Sequence, residues 1–130
     1  MAFGTFDILH PGHINFLHQA KKYGSLIVVI ARDKTVREVK GKMPKYSEKE
    51  RLGAIKGLNL THKAILGSLS DKYAAIKKYQ PDIIALGYDQ IYFTDKLADQ
   101  PLVKKTKIIR LKPFKPHKYK TSIIKNIHNK

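Results

Sequence analysis

Two histidines separated by a proline and a glycine are the residues best suited to chemistry in this sequence. They form the run His10-Pro11-Gly12-His13. If a helix begins here, histidines three residues apart lie on one face of its first turn. A helix start also carries unpaired amide hydrogens and a partial positive charge, which attract anions such as phosphate. The run therefore predicts a cradle in which two imidazoles donate to one oxyanion.

The residues between and before the histidines fit this hypothesis. Pro11 supplies a helical φ and loses no useful donor, and Gly12 has no side chain to keep a phosphate away from the backbone. A pair of histidines at this spacing is by itself more often structural or part of a metal site, but no third ligand follows at a spacing typical of zinc. Asp7 is interpreted as a structural cap of the loop or the helix rather than as a catalytic group.

Length and composition favour one folded α/β domain over residues 1–130. The hydrophobic fraction is 42%, which is typical of a chain with a real core. The sequence contains no cysteine, which excludes disulfides and thiolate metal sites. No apolar run approaches the roughly 20 residues needed to span a bilayer, and the first residues do not resemble a signal peptide. We therefore expect a cytoplasmic protein without a membrane partner.

The net charge is the unusual feature of the composition. Lys and Arg number 26 against 10 Asp and Glu, which gives a formal charge of +16. Such a field attracts anions, including nucleotides, phosphorylated metabolites, nucleic acid and anionic lipid. No acidic residue follows Asp99, whereas ten basic residues do. Part of this charge is equally consistent with lysines that only solvate the surface.

Apolar runs and helical spacing alternate along the chain. Apolar runs predict strands at residues 2–5, 26–31, 63–66, 82–86 and 107–111. Helical patterns predict helices at residues 11–23, 48–57, 71–79 and 121–128. Ser47 and Glu50 form a capping box, Ser70 is expected to cap the third helix, and Gly24 and Pro81 are expected to end two of the helices.

This alternation predicts a Rossmann-like, doubly wound parallel sheet of about five strands with helices on both faces. In such sheets ligands bind at the carboxyl ends of the strands, where the winding direction reverses. With the common order 3-2-1-4-5, that point lies between the first and fourth strands. The loops that meet there are residues 4–13 and 87–90, which are polar and punctuated by glycine.

The run Gly4-Thr-Phe-Asp-Ile-Leu-His-Pro-Gly-His13 resembles the signature of the cytidylyltransferase-like nucleotidyltransferases, which carry a histidine–any–glycine–histidine motif after the first strand of a Rossmann-like domain. Three further segments resemble one branch of that family, the archaeal FAD synthases (FMN adenylyltransferases). They are residues 31–36, 64–69 and 81–90, with a weaker similarity at 121–124. The resemblance covers roughly residues 3–90.

The resemblance implies a role for each matching position. His10 and His13 would bind the triphosphate and stabilise it in the transition state. The implied nucleotide-binding residues are Thr5, Phe6, His10, Pro11, Gly12, His13, Gly87, Asp89 and Ser122. Phe6 would contribute its ring, and Gly87 and Asp89 would contact the nucleoside. Lys42, Lys45 and Thr121 are the implied further phosphate contacts.

The implied reaction is transfer of AMP from ATP to FMN, which gives FAD and pyrophosphate. The acceptor phosphate is already an anionic nucleophile, so the work required is positioning and electrostatic stabilisation. A divalent cation, Mg²⁺, is expected to arrive with the nucleotide, because the sequence shows no dedicated metal cage. Asp7 or Asp33 would touch the ion only through water. Relatives are often dimers, so a homodimer is an expected assembly.

Two alternatives stay open at this level. One is a cytidylyltransferase that uses CTP and glycerol-3-phosphate or another alcohol or sugar phosphate. Those enzymes carry Arg-Thr-Glu-Gly-Ile-Ser-Thr-Thr before the last helix, whereas residues 116–122 contain neither arginine nor glycine, which counts against this alternative. The other is a non-catalytic, nucleic-acid-binding module built on the lysine-rich C-terminal quarter, although no nucleic-acid motif is present.

Overall fold

Five short parallel strands form the centre of the computed structural model, which describes residues 1–87, 97 and 100–113. The strands are β1 (Ala2–Gly4), β2 (Ile27–Ile30), β3 (Lys63–Leu66), β4 (Ile83–Leu86) and β5 (Lys107–Arg110). Each predicted strand is confirmed, and each of its ends lies within one residue of the prediction. The predicted helix at 121–128 lies outside the described residues.

The strands form one sheet in the order β3-β2-β1-β4-β5, as the sequence predicts. β1 is central and pairs in parallel with β2 on one side, where Phe3 lies opposite Val29, and with β4 on the other, where Ala2 lies opposite Ala85. The winding direction reverses at β1. The carboxyl ends of β1 and β4 therefore border the crevice in which sheets of this kind bind ligands.

Four helices connect the strands in the described part of the chain. They are α1 (Pro11–Lys21), α2 (Asp33–Lys40), α3 (Glu48–Gly57) and α4 (Ala74–Tyr79), and a short 3-10 turn spans Pro101–Val103. The capping box of α3 is confirmed: the Glu50 amide donates to Ser47 Oγ at 3.2 Å, and the Ser47 amide donates to the Glu50 carboxylate at 3.3 Å. Since this box fixes where α3 begins, its predicted bounds are also correct.

Two helix ends differ from the predictions for local reasons. α1 ends at Lys21, two residues early, because the amides of residues 22–24 turn back to carbonyls three residues before them. Gly24 lies beyond the cap, at a φ of 142°. The predicted cap at Ser70 is wrong, because Asp71 Oδ1 accepts the Tyr73 amide that Ser70 would have accepted, and α4 begins only at Ala74.

α2 is absent from the sequence prediction. Val36 is its only buried residue, so its eight residues show too little apolar periodicity to mark a helix. It begins after an extended Arg32 and is capped by Gly41, which has a φ of 78° and donates its amide to the Arg37 carbonyl. That left-handed conformation is one that glycine adopts without strain. α2 therefore carries the chain from the end of β2 to the lysine-rich loop that follows it.

The core consists of two clusters, one on each face of the sheet. Along β2, Val28 packs into the cluster that contains Leu17 and Ile55, whereas the next residue, Val29, packs into the cluster that contains Ile76. Because neighbouring strand residues point to opposite faces, α1 and α3 cover one face and α4 covers the other. The prediction of helices on both faces is thus confirmed. Among the described residues, the helices are too short or too polar to cross a bilayer.

Candidate active site

His10 is the N-cap of α1 as well as a candidate catalytic residue. Its backbone is extended, with a φ of −144°, and its Nδ1 accepts the Gly12 amide at 3.1 Å. A neutral imidazole that accepts through Nδ1 carries its proton on Nε2. The cap therefore selects the tautomer of His10 and leaves Nε2–H as a donor. Pro11 occupies the first helical position, as predicted.

The ring of His13 stacks on the ring of His10, with 3.8 Å between the ring centroids and 24° between the planes. The two imidazoles therefore lie side by side at the start of α1, as the spacing predicts. His13 Nδ1 is buried and has no hydrogen-bond partner among the described residues. A buried polar atom without a partner is unusual and is a common feature of binding sites.

The pKa of His13 is lowered from 6.5 to about 4, mainly by burial and then by the neighbouring His10. The Ile8 backbone opposes this shift, and the positive charge of Lys40 adds to it. Burial also lowers the pKa of His10. Both imidazoles are consequently neutral at pH 7 in the free protein, and His10 offers its Nε2–H rather than a full positive charge.

The amides at the start of α1 are already used within the protein. The Gly12 amide donates to the His10 ring, and the amides of His13 and Ile14 donate to the His10 carbonyl at 3.0 and 3.3 Å. Pro11 has no amide hydrogen. In the free protein the residue that caps the helix therefore pairs with the backbone amides of this turn, and the amide cradle for an anion stays a prediction. The same cap leaves Nε2–H of His10 as a donor for an anion.

Phe6 supports His13 from the core. Phe6 has a φ of 52°, in the left-handed region that is costly for a bulky residue, and its side chain is only 5% exposed. Its ring meets the His13 ring edge to face, with 5.4 Å between the centroids. A Cβ on Gly4 would lie 2.6 Å from this ring, so only glycine fits there. In the free protein the Phe6 ring is buried beside His13, and its contact with a nucleotide stays a prediction.

Asp7 joins the histidine loop to a segment 38 and 39 residues further along the chain. Its carboxylate accepts the amides of Lys45 and Tyr46, each at 2.8 Å. The structural interpretation of Asp7 is correct, although its partners lie in the loop before α3 rather than in its own loop or helix. This contact brings a loop with two lysines, Lys42 and Lys45, towards the crevice.

The positive charge of Lys40 makes the smallest of four contributions to the pKa of His13, which it lowers. The sequence resemblance predicts Lys42 and Lys45 as the phosphate contacts. Both are exposed, and the ammonium of Lys45 lies 5.7 Å from the centre of the Tyr46 ring. Lys40 is the last residue of α2, a helix that the apolar pattern does not predict. Gly41, which directly follows Lys40, is the sequence signal for the end of that helix.

The other end of the crevice is formed by Gly87, directly after β4. Its carbonyl accepts Nη1 of Arg110 at 2.7 Å, which links the ends of β4 and β5. Gly87 is thus at the carboxyl end of the strand next to β1, as predicted. Asp89, Thr121 and Ser122 lie outside the described residues, so their proposed contacts remain predictions.

The described residues hold no cluster of three His, Cys, Asp or Glu side chains that would bind a metal ion. Both carboxylate oxygens of Asp7 accept backbone amides. Asp33 Oδ1 accepts Arg51 Nη2 at 2.7 Å. These carboxylates therefore serve the fold, and the donor set does not fit a resident cation.

A parallel sheet wound from a central strand, with two stacked imidazoles where that strand meets its helix, defines a Rossmann-like fold with a candidate ligand site at the point where the winding reverses. The sequence model of the family described as cytidylyltransferase-like matches residues 1–127. The chain belongs to the cytidylyltransferase-like family, which confirms the resemblance carried by residues 4–13.

Several proteins named FAD synthase are similar to this chain. The one from Methanohalophilus mahii is 49% identical over 121 residues, which cover 90% of this chain and 82% of that protein. The one from Archaeoglobus profundus is 46% identical and the match covers 98% of this chain and 84% of that protein. A solved structure, titled lipopolysaccharide core biosynthesis protein from Thermoplasma volcanium, is 42% identical with a TM-score of 0.77 and covers 88% of this chain and 95% of that chain.

Proposed function

We propose that this protein is an FMN adenylyltransferase, which transfers AMP from ATP to FMN and releases pyrophosphate. The observation that carries the proposal is the stacked, neutral pair His10 and His13 at the carboxyl end of β1, close to the Lys40 charge. Relatives named FAD synthase, at 44–49% identity, support FMN as the acceptor. The formal charge of +16 suits an enzyme that must bring two polyanions together.

The reaction forms one P–O bond and breaks another. A phosphate oxygen of FMN attacks the α-phosphorus of ATP, and the bond from that phosphorus to the oxygen bridging to the β-phosphate breaks. The electron pair leaves with pyrophosphate. Since the attacking oxygen is already ionised at neutral pH, no side chain has to remove a proton. The task of the protein is to align the two phosphates and to stabilise the charge that develops on them.

The two imidazoles supply that stabilisation in this proposal. Nε2–H of His10 donates to a triphosphate oxygen, while its Nδ1 stays bound to the Gly12 amide. A triphosphate beside His13 raises the imidazole pKa, because a nearby negative charge favours the protonated form. Each oxyanion donor in a preorganised site contributes about 3–4 kcal/mol to lowering the barrier. Lys40, and in the prediction Lys42 or Lys45, adds positive charge over the phosphates.

We propose that a divalent cation, Mg²⁺, enters with ATP and is held by triphosphate oxygens rather than by the described carboxylates. When bound, it neutralises part of the triphosphate charge. Asp89 for the nucleoside, and Ser122 or Thr121 for phosphate, remain part of the proposal. So do a cytoplasmic location and a homodimer. Size-exclusion chromatography with light scattering tests the homodimer directly.

A substrate matrix tests the function. The protein is incubated with Mg²⁺ and either ATP or CTP, each with FMN or glycerol-3-phosphate, and pyrophosphate release is followed while chromatography identifies the products. We expect turnover and FAD with ATP and FMN. Turnover only with CTP and an alcohol or sugar phosphate would replace this assignment with the cytidylyltransferase, an outcome worth testing because the structural relative bears a lipopolysaccharide title.

A further inference from the structure

Arg51 is the one buried charged residue in the described part of the chain, with a fully buried side chain. Burial of a guanidinium is costly unless its N–H groups are paired. Its three nitrogens each donate: Nε to the Tyr46 carbonyl at 3.0 Å, Nη1 to the Thr5 carbonyl at 2.9 Å, and Nη2 to Asp33 at 2.7 Å. The fixed fork of arginine suits three acceptors that lie in different directions.

The three acceptors belong to segments that carry the candidate active site. Thr5 directly follows β1, at the start of the loop that leads to the histidines. Asp33 is the first residue of α2, the helix that ends at Lys40. Tyr46 lies in the loop between that helix and α3. Residues 40–45, which carry Lys40, Lys42 and Lys45, are called the lysine segment. Arg51 therefore connects the histidine loop to the start of α2, which precedes this segment, and to Tyr46, which follows it.

Asp7 contacts Tyr46, which is also a partner of Arg51. The Tyr46 amide donates to Asp7, while the Tyr46 carbonyl accepts from Arg51. Asp7 is only two residues from Thr5, the other backbone acceptor of Arg51. The contacts close a ring through residues 5–7, 46 and 51, which fixes the spacing between the histidine loop and the lysine segment.

We infer that Arg51 and Asp7 form a clamp that positions the lysine segment over the histidine pair and thereby sets the affinity for the triphosphate. Arg51 is too deeply buried to touch a nucleotide, so it acts as a positioning residue. The inference rests on the proposed function for the identity of the substrate, but it concerns only the nucleoside triphosphate and not the acceptor.

The first variant to test is Asp7→Asn. An asparagine keeps the size of the side chain and one acceptor oxygen, but its amide nitrogen cannot accept the second backbone N–H. Asp7 is partly exposed, so we expect the protein to remain folded. The matched control is Asp71→Asn, since Asp71 also accepts a backbone amide, that of Tyr73, at the start of α4.

Calorimetric titration with ATP and with CTP, without acceptor, gives the nucleotide Kd. For the nucleotide that the wild type binds, we expect Asp7→Asn to raise Kd by about tenfold, as expected for loss of a charge-assisted hydrogen bond. Asp71→Asn should leave Kd within about twofold. Thermal denaturation of each variant checks that these differences are measured on folded protein.

A double-mutant cycle with Lys40→Ala separates positioning from a structural role. If the clamp acts through the lysine segment, Asp7→Asn should change Kd by less than about threefold once Lys40 is absent, because coupled sites are not additive. A merely structural role predicts the same tenfold change in both backgrounds. Arg51→Lys, which keeps the charge but loses the fork, should raise Kd at least as much as Asp7→Asn does.

Equal effects of Asp7→Asn with and without Lys40, an unchanged Kd in Asp7→Asn, or a wild type that binds neither nucleotide would overturn the clamp. Failure of the proposed function looks different. In that case the wild type binds a nucleotide with the expected variant pattern but makes no FAD from ATP and FMN.

Discussion

The depressed pKa of His13 predicts a specific loss of stability in mild acid. In the folded protein its pKa is about 4, whereas an unfolded histidine titrates near its ordinary value of 6.5. Between these values the unfolded chain binds a proton that the folded protein does not. The free energy of unfolding must therefore fall as the pH drops through this window, and the contribution of His13 is flat above and below it.

The magnitude follows from the shift. About 2.5 pKa units at 1.36 kcal/mol per unit give a contribution of about 3 kcal/mol. For a small domain whose total stability is about 5–15 kcal/mol, this is a large fraction. It is fully present at neutral pH and fully lost below about pH 4.

Urea denaturation followed by circular dichroism, at several pH values from about 7 to about 4, measures this term. His13→Asn removes the titrating group. Across the window, the free energy of unfolding of this variant should therefore fall by about 3 kcal/mol less than that of the wild type. Carboxylates titrate in both proteins and cancel in the difference. His18→Asn, which removes an exposed imidazole from the same helix, is the matched control. Parallel decline of the wild type and His13→Asn would show that burial does not keep this ring neutral.

Three further predictions concern individual contacts. Gly4→Ala should destabilise the protein by about 1–3 kcal/mol, because its Cβ would meet the Phe6 ring. Gly53→Ala, in open space on α3, should stabilise the protein instead. Thermal unfolding measures both effects, and equal effects would show that the Phe6 ring does not exclude a side chain at position 4. Ser47→Ala should cost about 1 kcal/mol through loss of the α3 cap, and an unchanged melting temperature would refute it. His10→Asn should keep the cap on Gly12 but lower kcat/KM for pyrophosphate release by about 10²–10³-fold, whereas retained activity would leave the imidazole without a catalytic role.

The strands and the capping box were predictable because their signals are local. Val28 and Val29 lie in a continuous apolar run, as expected of a strand with both faces covered. Ser47 and Glu50 satisfy each other across a single turn. The prediction of a cap at Ser70 failed because Asp71 Oδ1 accepts the Tyr73 amide, which is one of the two amides that a cap at Ser70 would accept, and sequence alone does not choose between adjacent acceptors.

The sequence by itself determined the sheet, its winding and the position of the paired histidines, because apolar runs and helix starts depend on residues close together in the chain. Only the tertiary structure decided that the His10 ring caps its own helix and that burial lowers the pKa of His13. It also revealed the contacts of Arg51 with Thr5, which lies 46 positions away in the chain. Such contacts depend on which buried groups meet when the helices pack on the sheet, and no local pattern encodes that meeting.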